Sequence, residues 1–245
     1  MSFKIVIPSR FASTRLPGKP LLDIAGKPMI QHVYERAKGA SFIDKVIVAT
    51  DDQRIYDVVL KFGGECRITD INHLSGTDRL VEISDYINSS IYINVQGDEP
   101  LIHPDIISLL AKYMLENDNV EVGTLYHSIT AEESKNPNSV KVVIGSQNRA
   151  LYFSRAPIPY PRNESDAKYF KHIGIYAYRR NILTNYKNLP LSMLEQSESL
   201  EQLRLLEAGV EIRALQVASA FTGVDTPECL EKVREIINKG NILFR

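Results

Sequence analysis

The chain has 245 residues, 44% of them hydrophobic, and 29 basic residues set against 30 acidic ones leave a formal net charge of -1. A chain of this length buries roughly 70–75% of the surface it exposes when unfolded, so a single α/β unit, with or without an inserted lobe, folds without a disulfide or metal staple. The charge balance offers no electrostatic footprint for nucleic acid or an anionic membrane, so any bound anion must be met by local cations.

The opening Met1-Ser2-Phe3-Lys4 passes at once into the strand-like Ile5-Val6-Ile7, too short an apolar stretch for a signal peptide. No segment approaches the roughly eighteen apolar residues of a membrane span, so no membrane insertion and a cytoplasmic residence are expected. Val46-Ile47-Val48 and Ile91-Tyr92-Ile93-Asn94-Val95 read as further strands, each followed by a loop and an amphipathic stretch. That alternation predicts a parallel sheet covered by helices on both faces. The first helix is expected to open with Pro28 at its first position and to bury Met29, Ile30, Val33, Tyr34 and Ala37; Ile55, Val58, Val59 and Phe62, then Ile106, Ile107, Leu110 and Met114, form later stripes. Cys66 and Cys229 lack the spacing of a zinc site or a disulfide framework and read as buried small hydrophobes.

Beyond residue 120 the pattern loosens. Val120–Leu125, Val140–Ile144, Leu151–Phe153 and Ile173–Tyr178 read as strands, and 179–187 and 199–208 as helices. Between them, Ala156-Pro157-Ile158-Pro159-Tyr160-Pro161 excludes both helix and central strand and is expected to be an extended arm or part of an inserted lobe, approximately 150–180, within one domain spanning 1–245. A last helix is expected after Thr226-Pro227-Glu228, which suits a capped start.

The strongest chemical signal follows the first strand. Pro8-Ser9-Arg10-Phe11-Ala12-Ser13-Thr14-Arg15-Leu16-Pro17-Gly18-Lys19-Pro20 sets three cations around two hydroxyls, with Gly18 leaving the backbone free to turn beside Lys19. In an open parallel sheet, ligands bind beyond the carboxyl ends of strands, which is where this loop lies, and a triphosphate asks for such a set of groups. It matches neither the P-loop nor the dinucleotide fingerprint. By itself, a solvated basic loop with a turn at Pro17-Gly18 would read the same way.

The stretch R-x-x-S-T-R-L-P-G-K-P resembles the nucleotide-binding signature of sugar nucleotidyltransferases, and in particular that of the cytidylyltransferases for 3-deoxy-manno-octulosonate (Kdo), the CMP-Kdo synthetase family. His73-Leu74-Ser75-Gly76-Thr77-Asp78-Arg79 and Asn94-Val95-Gln96-Gly97-Asp98-Glu99-Pro100 resemble two further family segments. Leu151-Tyr152-Phe153-Ser154-Arg155, His172-Ile173-Gly174-Ile175-Tyr176, Leu200-Glu201-Gln202-Leu203-Arg204 and Gly223-Val224-Asp225-Thr226-Pro227 continue the likeness in order over nearly the whole chain.

The resemblance implies a nucleotide-diphospho-sugar transferase-like (Rossmann-like) α/β fold with a mostly parallel sheet and a smaller inserted dimerisation lobe, hence a homodimer. It implies an enzyme that joins CMP from CTP to Kdo with release of pyrophosphate. Pro8, Arg10, Ser13, Thr14, Arg15, Lys19, His73, Ser75, Gly76 and Thr77 would then hold the nucleotide, and Arg79, Gln96, His172, Tyr176, Glu201 and Gln202 the sugar. Arg10, Lys19, Asp98 and Asp225 would carry the chemistry. Asp98, at the end of its strand, and Asp225, before a helix cap, are the candidate ligands of Mg²⁺, which takes one or two carboxylates plus substrate phosphates. Each acid could equally be an ordinary turn or pre-cap residue. Ser9 stands where the family pattern has alanine, and Arg162–Lys171 is shorter than in many relatives. Close alternatives are CTP-dependent activation of the 8-amino analogue of Kdo, weakly disfavoured by His73, and uridylyl or thymidylyl transfer to a neutral sugar phosphate. A non-catalytic nucleotide-binding module is the alternative from another class.

Overall fold

The computed structural model describes residues 1–12, 16–163, 168–218 and 223–239. The chain forms two compact units, Met1–Lys112 with Phe221–Arg245, and Tyr113–Ala220. In chain order the first unit holds β1 (Phe3–Ser9), the short antiparallel pair β2 (Asp23–Ile24) and β3 (Lys27–Pro28), α1 (Met29–Lys38), β4 (Lys45–Thr50), α2 (Gln53–Lys61), β5 (Cys66–Ile68), α3 (Gly76–Tyr86), β6 (Ile91–Asn94) and the start of α4 (Pro104–Glu116).

Its sheet is parallel throughout, in the order β6-β1-β4-β5. Ile5, Val6 and Ile7 in β1, and Ile91, Tyr92 and Ile93 in β6, are all fully buried, so consecutive residues pointing to opposite faces both find cover. The chain steps outward from β1 through β4 to β5, then returns to the other side of β1 as β6. The order therefore reverses between β1 and β6, and the crevice beyond their carboxyl ends is where such folds bind ligands.

The α1 stripe of Met29, Ile30, Val33, Tyr34 and Ala37 is buried as the periodicity requires. Pro28 is the N-cap of α1 rather than its first helical residue, because its backbone is extended and pairs with Asp23 across β2–β3. Val58, Phe62 and Ile106 are only partly covered, and Tyr86 is 63% exposed with the Arg67 guanidinium over its ring.

The second unit holds β7 (Val122–Ile129), α5 (Ala131–Ser134), β8 (Lys141–Ile144), β9 (Ala150–Ser154), β10 (Tyr169–Arg179), α6 (Arg180–Tyr186), α7 (Met193–Glu198), α8 (Gln202–Glu207) and β11 (Ile212–Gln216). Here β11 lies parallel to β7, whereas β10 runs antiparallel to both β7 and β8, and β9 antiparallel to β8. Ile173 stands opposite Leu125 and Tyr176 opposite Thr124, so Gly174 and Ile175 form a bulge in β10. The proline-rich 156–161 segment is neither helix nor strand, as its composition requires. The helix expected over 199–208 starts three residues later, as α8, and Leu200, Leu203 and Leu205 are the buried leucines of that stretch. It also missed α7, whose signal was the capping spacing Ser192…Glu195, and β11.

The final described helix, α9 (Pro227–Asn238), belongs to the first unit. The Thr226 hydroxyl caps it by accepting the Cys229 N–H, and Pro227 occupies its first turn. Val224, Leu230 and Val233 pack in a cluster with Ile24, Met29 and Leu101. Each such side chain contributes about 1.5–3 kcal/mol by leaving water. Cys66 and Cys229 are free thiols and only partly buried, less enclosed than the sequence reading had them; burial nonetheless pushes the Cys66 thiol up to about 12. Leu230→Ala is expected to cost about 2–5 kcal/mol in chemical denaturation, and Leu74→Ala, at an 82% exposed position, less than about 0.5 kcal/mol. Equal costs would contradict the docking of α9.

Candidate active site

The site begins where β1 ends. Ser9 and Pro8 are buried, Arg10 is exposed, and the chain then enters the cationic loop. Ser13, Thr14 and Arg15 lie outside the described residues. The loop is closed on itself: the Gly18 N–H donates to the Phe11 carbonyl at 3.0 Å. Gly18 has φ 66°, and a Cβ there would come within 3.0 Å of the Phe11 ring, so both backbone and space call for glycine. On the outside, the Arg54 guanidinium stacks 3.3 Å from the Phe11 centroid while it binds the Asp52 carboxylate. Neither partner carried a signal in the motif.

One helical turn after Gly18 starts with Lys19, which is mostly buried. Its ammonium donates to Asp98 Oδ2 at 2.7 Å and to the Val224 carbonyl at 2.8 Å, and lies 3.4 Å from Asp225 Oδ1. The Val224 N–H in turn donates to the Asp98 carbonyl at 2.8 Å. Asp98 follows β6, the parallel neighbour of β1, and Asp225 is carried by the segment that leads into α9. The three residues expected to share a centre are thus in contact. Val224 was not foreseen, since a backbone carbonyl leaves no mark on side-chain chemistry.

Two carboxylates on one cation are a donor set suited to Mg²⁺, with further positions left to phosphates and water. Among the described residues no group of three or more His, Cys, Asp or Glu side chains could enclose a metal.

Beside this centre, α3 opens under a capping box: the Ser75 hydroxyl accepts the Asp78 N–H and the Asp78 carboxylate accepts the Ser75 N–H. The Ser75 hydroxyl keeps its own proton to donate. A Cβ on Gly76 would stand 3.2 Å from Pro8 and 3.7 Å from Gln96 Oε1, so Pro8, Gly76 and Gln96 crowd together at the ends of their elements. Thr77 is buried in the first turn. Gln96 is partly exposed, with its amide 3.4 Å from Asn94 Oδ1.

Arg79 departs from the expectation that turned it toward a sugar. Its side chain is 4% exposed, one end of the guanidinium bonded to Asp51 and the other to Thr69 Oγ1 and the Asp70 carbonyl. It acts as an internal tie between α3 and the strand ends.

The other sugar candidates lie in the second unit. His172 Nε2 is 3.0 Å from Thr124 Oγ1, whose own proton goes to the Ile175 carbonyl at 2.8 Å, so the ring is the donor and carries its proton on Nε2. The ring packs edge-on to Phe153 and against Tyr176. Burial pushes His172 down to about 3 and Tyr176 well above the ordinary phenol range, the latter helped by Tyr178 and Glu201. Both are neutral near pH 7. The Tyr176 hydroxyl is fully buried beside Thr124. Gln202 is buried in the first turn of α8 and Glu201 partly so.

Because His172 is lowered from an ordinary value of about 6.5, the unfolded chain takes up its proton first. Its stabilising contribution is complete above about pH 6.5 and falls by up to about 1.4 kcal/mol per pH unit toward pH 3; burial shifts His127 in the same direction. Thermal midpoints are expected to drop from pH 7 to 4.5, and less steeply in His172→Gln. An unchanged slope in that variant would show that the buried imidazole is not the group titrating.

With this geometry in hand, comparison with known proteins gives consistent results. A family model described as cytidylyltransferase matches residues 4–212. The chain is 57% identical to a 3-deoxy-manno-octulosonate cytidylyltransferase of Escherichia coli over 95% of both chains, and 47% identical to one from Fusobacterium nucleatum over 99% of both. A solved CMP:2-keto-3-deoxy-manno-octonic acid synthetase complexed with CTP superposes with a TM-score of 0.96 at 55% identity, over 98% of this chain and 100% of that one. A cytidylyltransferase structure from Leptospira borgpetersenii, 17% identical with a TM-score of 0.62 over the whole of both chains, shares the fold. The chain belongs to the cytidylyltransferase family, among the 3-deoxy-manno-octulosonate cytidylyltransferases.

Proposed function

We propose that the protein transfers CMP from CTP to Kdo, giving CMP-Kdo and pyrophosphate, and so activates the sugar acid for lipopolysaccharide synthesis. The observation that carries the proposal is the Lys19 ammonium set between Asp98 and Asp225 at the β1/β6 crevice, in a chain 57% identical to an enzyme of that name. The relatives' names give no support to the 8-amino sugar.

In the reaction the anomeric hydroxyl oxygen of Kdo forms a bond to the α-phosphorus of CTP as the bond from that phosphorus to the bridging oxygen breaks. Pyrophosphate leaves, and the hydroxyl proton passes to solvent. Catalysis of this kind is mostly positioning and charge stabilisation. Lys19 and Arg10 offset the charge that gathers on the departing pyrophosphate. Asp98 and Asp225 would hold Mg²⁺, which when bound supplies a Lewis acid for the phosphate oxygens. The capped start of α3, with Pro8, His73, Ser75, Gly76 and Thr77, takes the nucleoside. In the second unit, His172, Tyr176, Glu201 and Gln202 offer neutral and anionic groups to sugar hydroxyls. His172, held near 3, is too weak a base to take the sugar proton at neutral pH.

A cytoplasmic location, where CTP is made, and a homodimer formed through the lobe around residues 150–180 belong to the same reading. No helix among the described residues is long and apolar enough to cross a membrane.

Pyrophosphate release assayed with CTP, Kdo and Mg²⁺ is expected to be robust, to collapse on chelation, and to be weak with UTP or dTTP. Lys19→Ala and Asp98→Ala should each lower turnover by about 10²–10⁴. Turnover at the wild-type rate in either variant would remove the assigned roles, and light scattering at the mass of a monomer would remove the dimer.

A further inference from the structure

The segment from Asp70 to Ser75, which leads from β5 to α3, has little apolar anchorage: Ile71 is 74% and Leu74 82% exposed. Polar bonds hold it, and they converge on one carboxylate of α3. Glu82 Oε2 accepts the Asp70 backbone N–H at 2.9 Å and lies 2.6 Å from His73 Nε2. A single oxygen atom therefore grips both ends of a four-residue stretch. Asp70 turns its own carboxylate onto the Asn72 N–H and side-chain amide at 2.8 and 2.9 Å. The Asp70 carbonyl accepts from Arg79, which is itself anchored on Asp51 and Thr69. Arg79 and Glu82 sit one turn apart on α3, so the helix holds the segment from beneath.

The contact with Glu82 decides more than position. A carboxylate only accepts, so the proton of the bond must sit on His73 Nε2, and in the neutral ring Nδ1 is then an acceptor. Cytosine carries an amino donor at the position where uracil carries a carbonyl acceptor. An acceptor nitrogen pairs with the first and is repelled by the second, the kind of opposition that separates near-identical ligands.

We propose that Glu82 is a positioning residue for nucleobase selection: by holding His73 with its proton on Nε2, it presents Nδ1 as an acceptor to the 4-amino group of cytosine and so favours CTP over UTP. This rests on the reading that the 73–77 segment meets the nucleotide. In Glu82→Gln the carboxylate becomes a neutral amide that can either accept from or donate to Nε2, so the ring proton is no longer confined to Nε2 and the preference at Nδ1 is lost.

The test is steady-state kinetics of the full chain with CTP and with UTP, Kdo being saturating. Wild-type turnover with CTP is the control for the parent reading; its absence would sink that reading, and this one with it. Given that turnover, Glu82→Gln is expected to lower the CTP/UTP ratio of kcat/KM at least about tenfold, which is about 1.4 kcal/mol, with the KM for Kdo unchanged. His73→Ala, at a partly exposed position, should lose the same discrimination, and adding Glu82→Gln to it should change the ratio no further. A folded Glu82→Gln enzyme with an unaltered ratio would overturn the proposal. If that variant fails to fold, full discrimination in His73→Ala would overturn it and lost discrimination would support it.

Discussion

Oxygen atoms from two distant stretches of chain converge on one ammonium. Lys19 reaches Asp98 from the middle of the sequence and Val224 and Asp225 from near its end, and the Val224 N–H closes the ring on the Asp98 carbonyl. An ammonium with three protons and no lone pair only donates, so a mostly buried Lys19 holds the segments that provide its acceptor oxygens. The convergence needs two things at once. β1 and β6 must be parallel neighbours, which puts the Lys19 loop beside Asp98, and α9 must dock through Val224, Leu230 and Val233 to deliver Asp225. Hydrophobic burial performs the assembly, and the polar contacts fix what is assembled.

The same division appears in the loops around the crevice. Gly18 and Gly76 allow close approach of backbone and side chains, while Phe11 and Arg54 brace the cationic loop from outside. Under the segment before α3, where Ile71 and Leu74 give no anchorage, Arg79 and Glu82 hold by hydrogen bonds alone. Bonds of this kind are directional, so they determine atom positions and tautomers as well as the path of the chain. A phosphate requires only charge at the right distance; a base edge requires donors and acceptors in the right order.

The second unit handles polarity in the opposite way. His172 and Tyr176 are buried, uncharged and packed on other rings, and their titration is driven out of the physiological range by the loss of water. Such groups can hydrogen-bond sugar hydroxyls without adding charge. The bulge at Gly174 and Ile175 shifts the register between them, and Thr124 locks the imidazole from the facing strand.

Much of this was legible in the residues themselves. The alternation of Ile5-Val6-Ile7 and later apolar runs with helical stripes, the loop from Arg10 to Lys19, and the start of α9 at Thr226-Pro227 are short-range features, because periodicity, capping and turn chemistry depend on neighbours within a few positions. The resemblance, with a strand end at one acid and a helix cap after the other, also suggested Asp98 and Asp225 as partners, but only the folded arrangement decided that Lys19 lies between them and that a backbone carbonyl completes the set. It also decided that Arg79 is spent on Asp51, Thr69 and Asp70, and that Glu82 meets His73. Such contacts join residues whose separation in sequence carries no signal: they depend on which strands pair and which faces meet, and that is settled by burial summed over the whole unit.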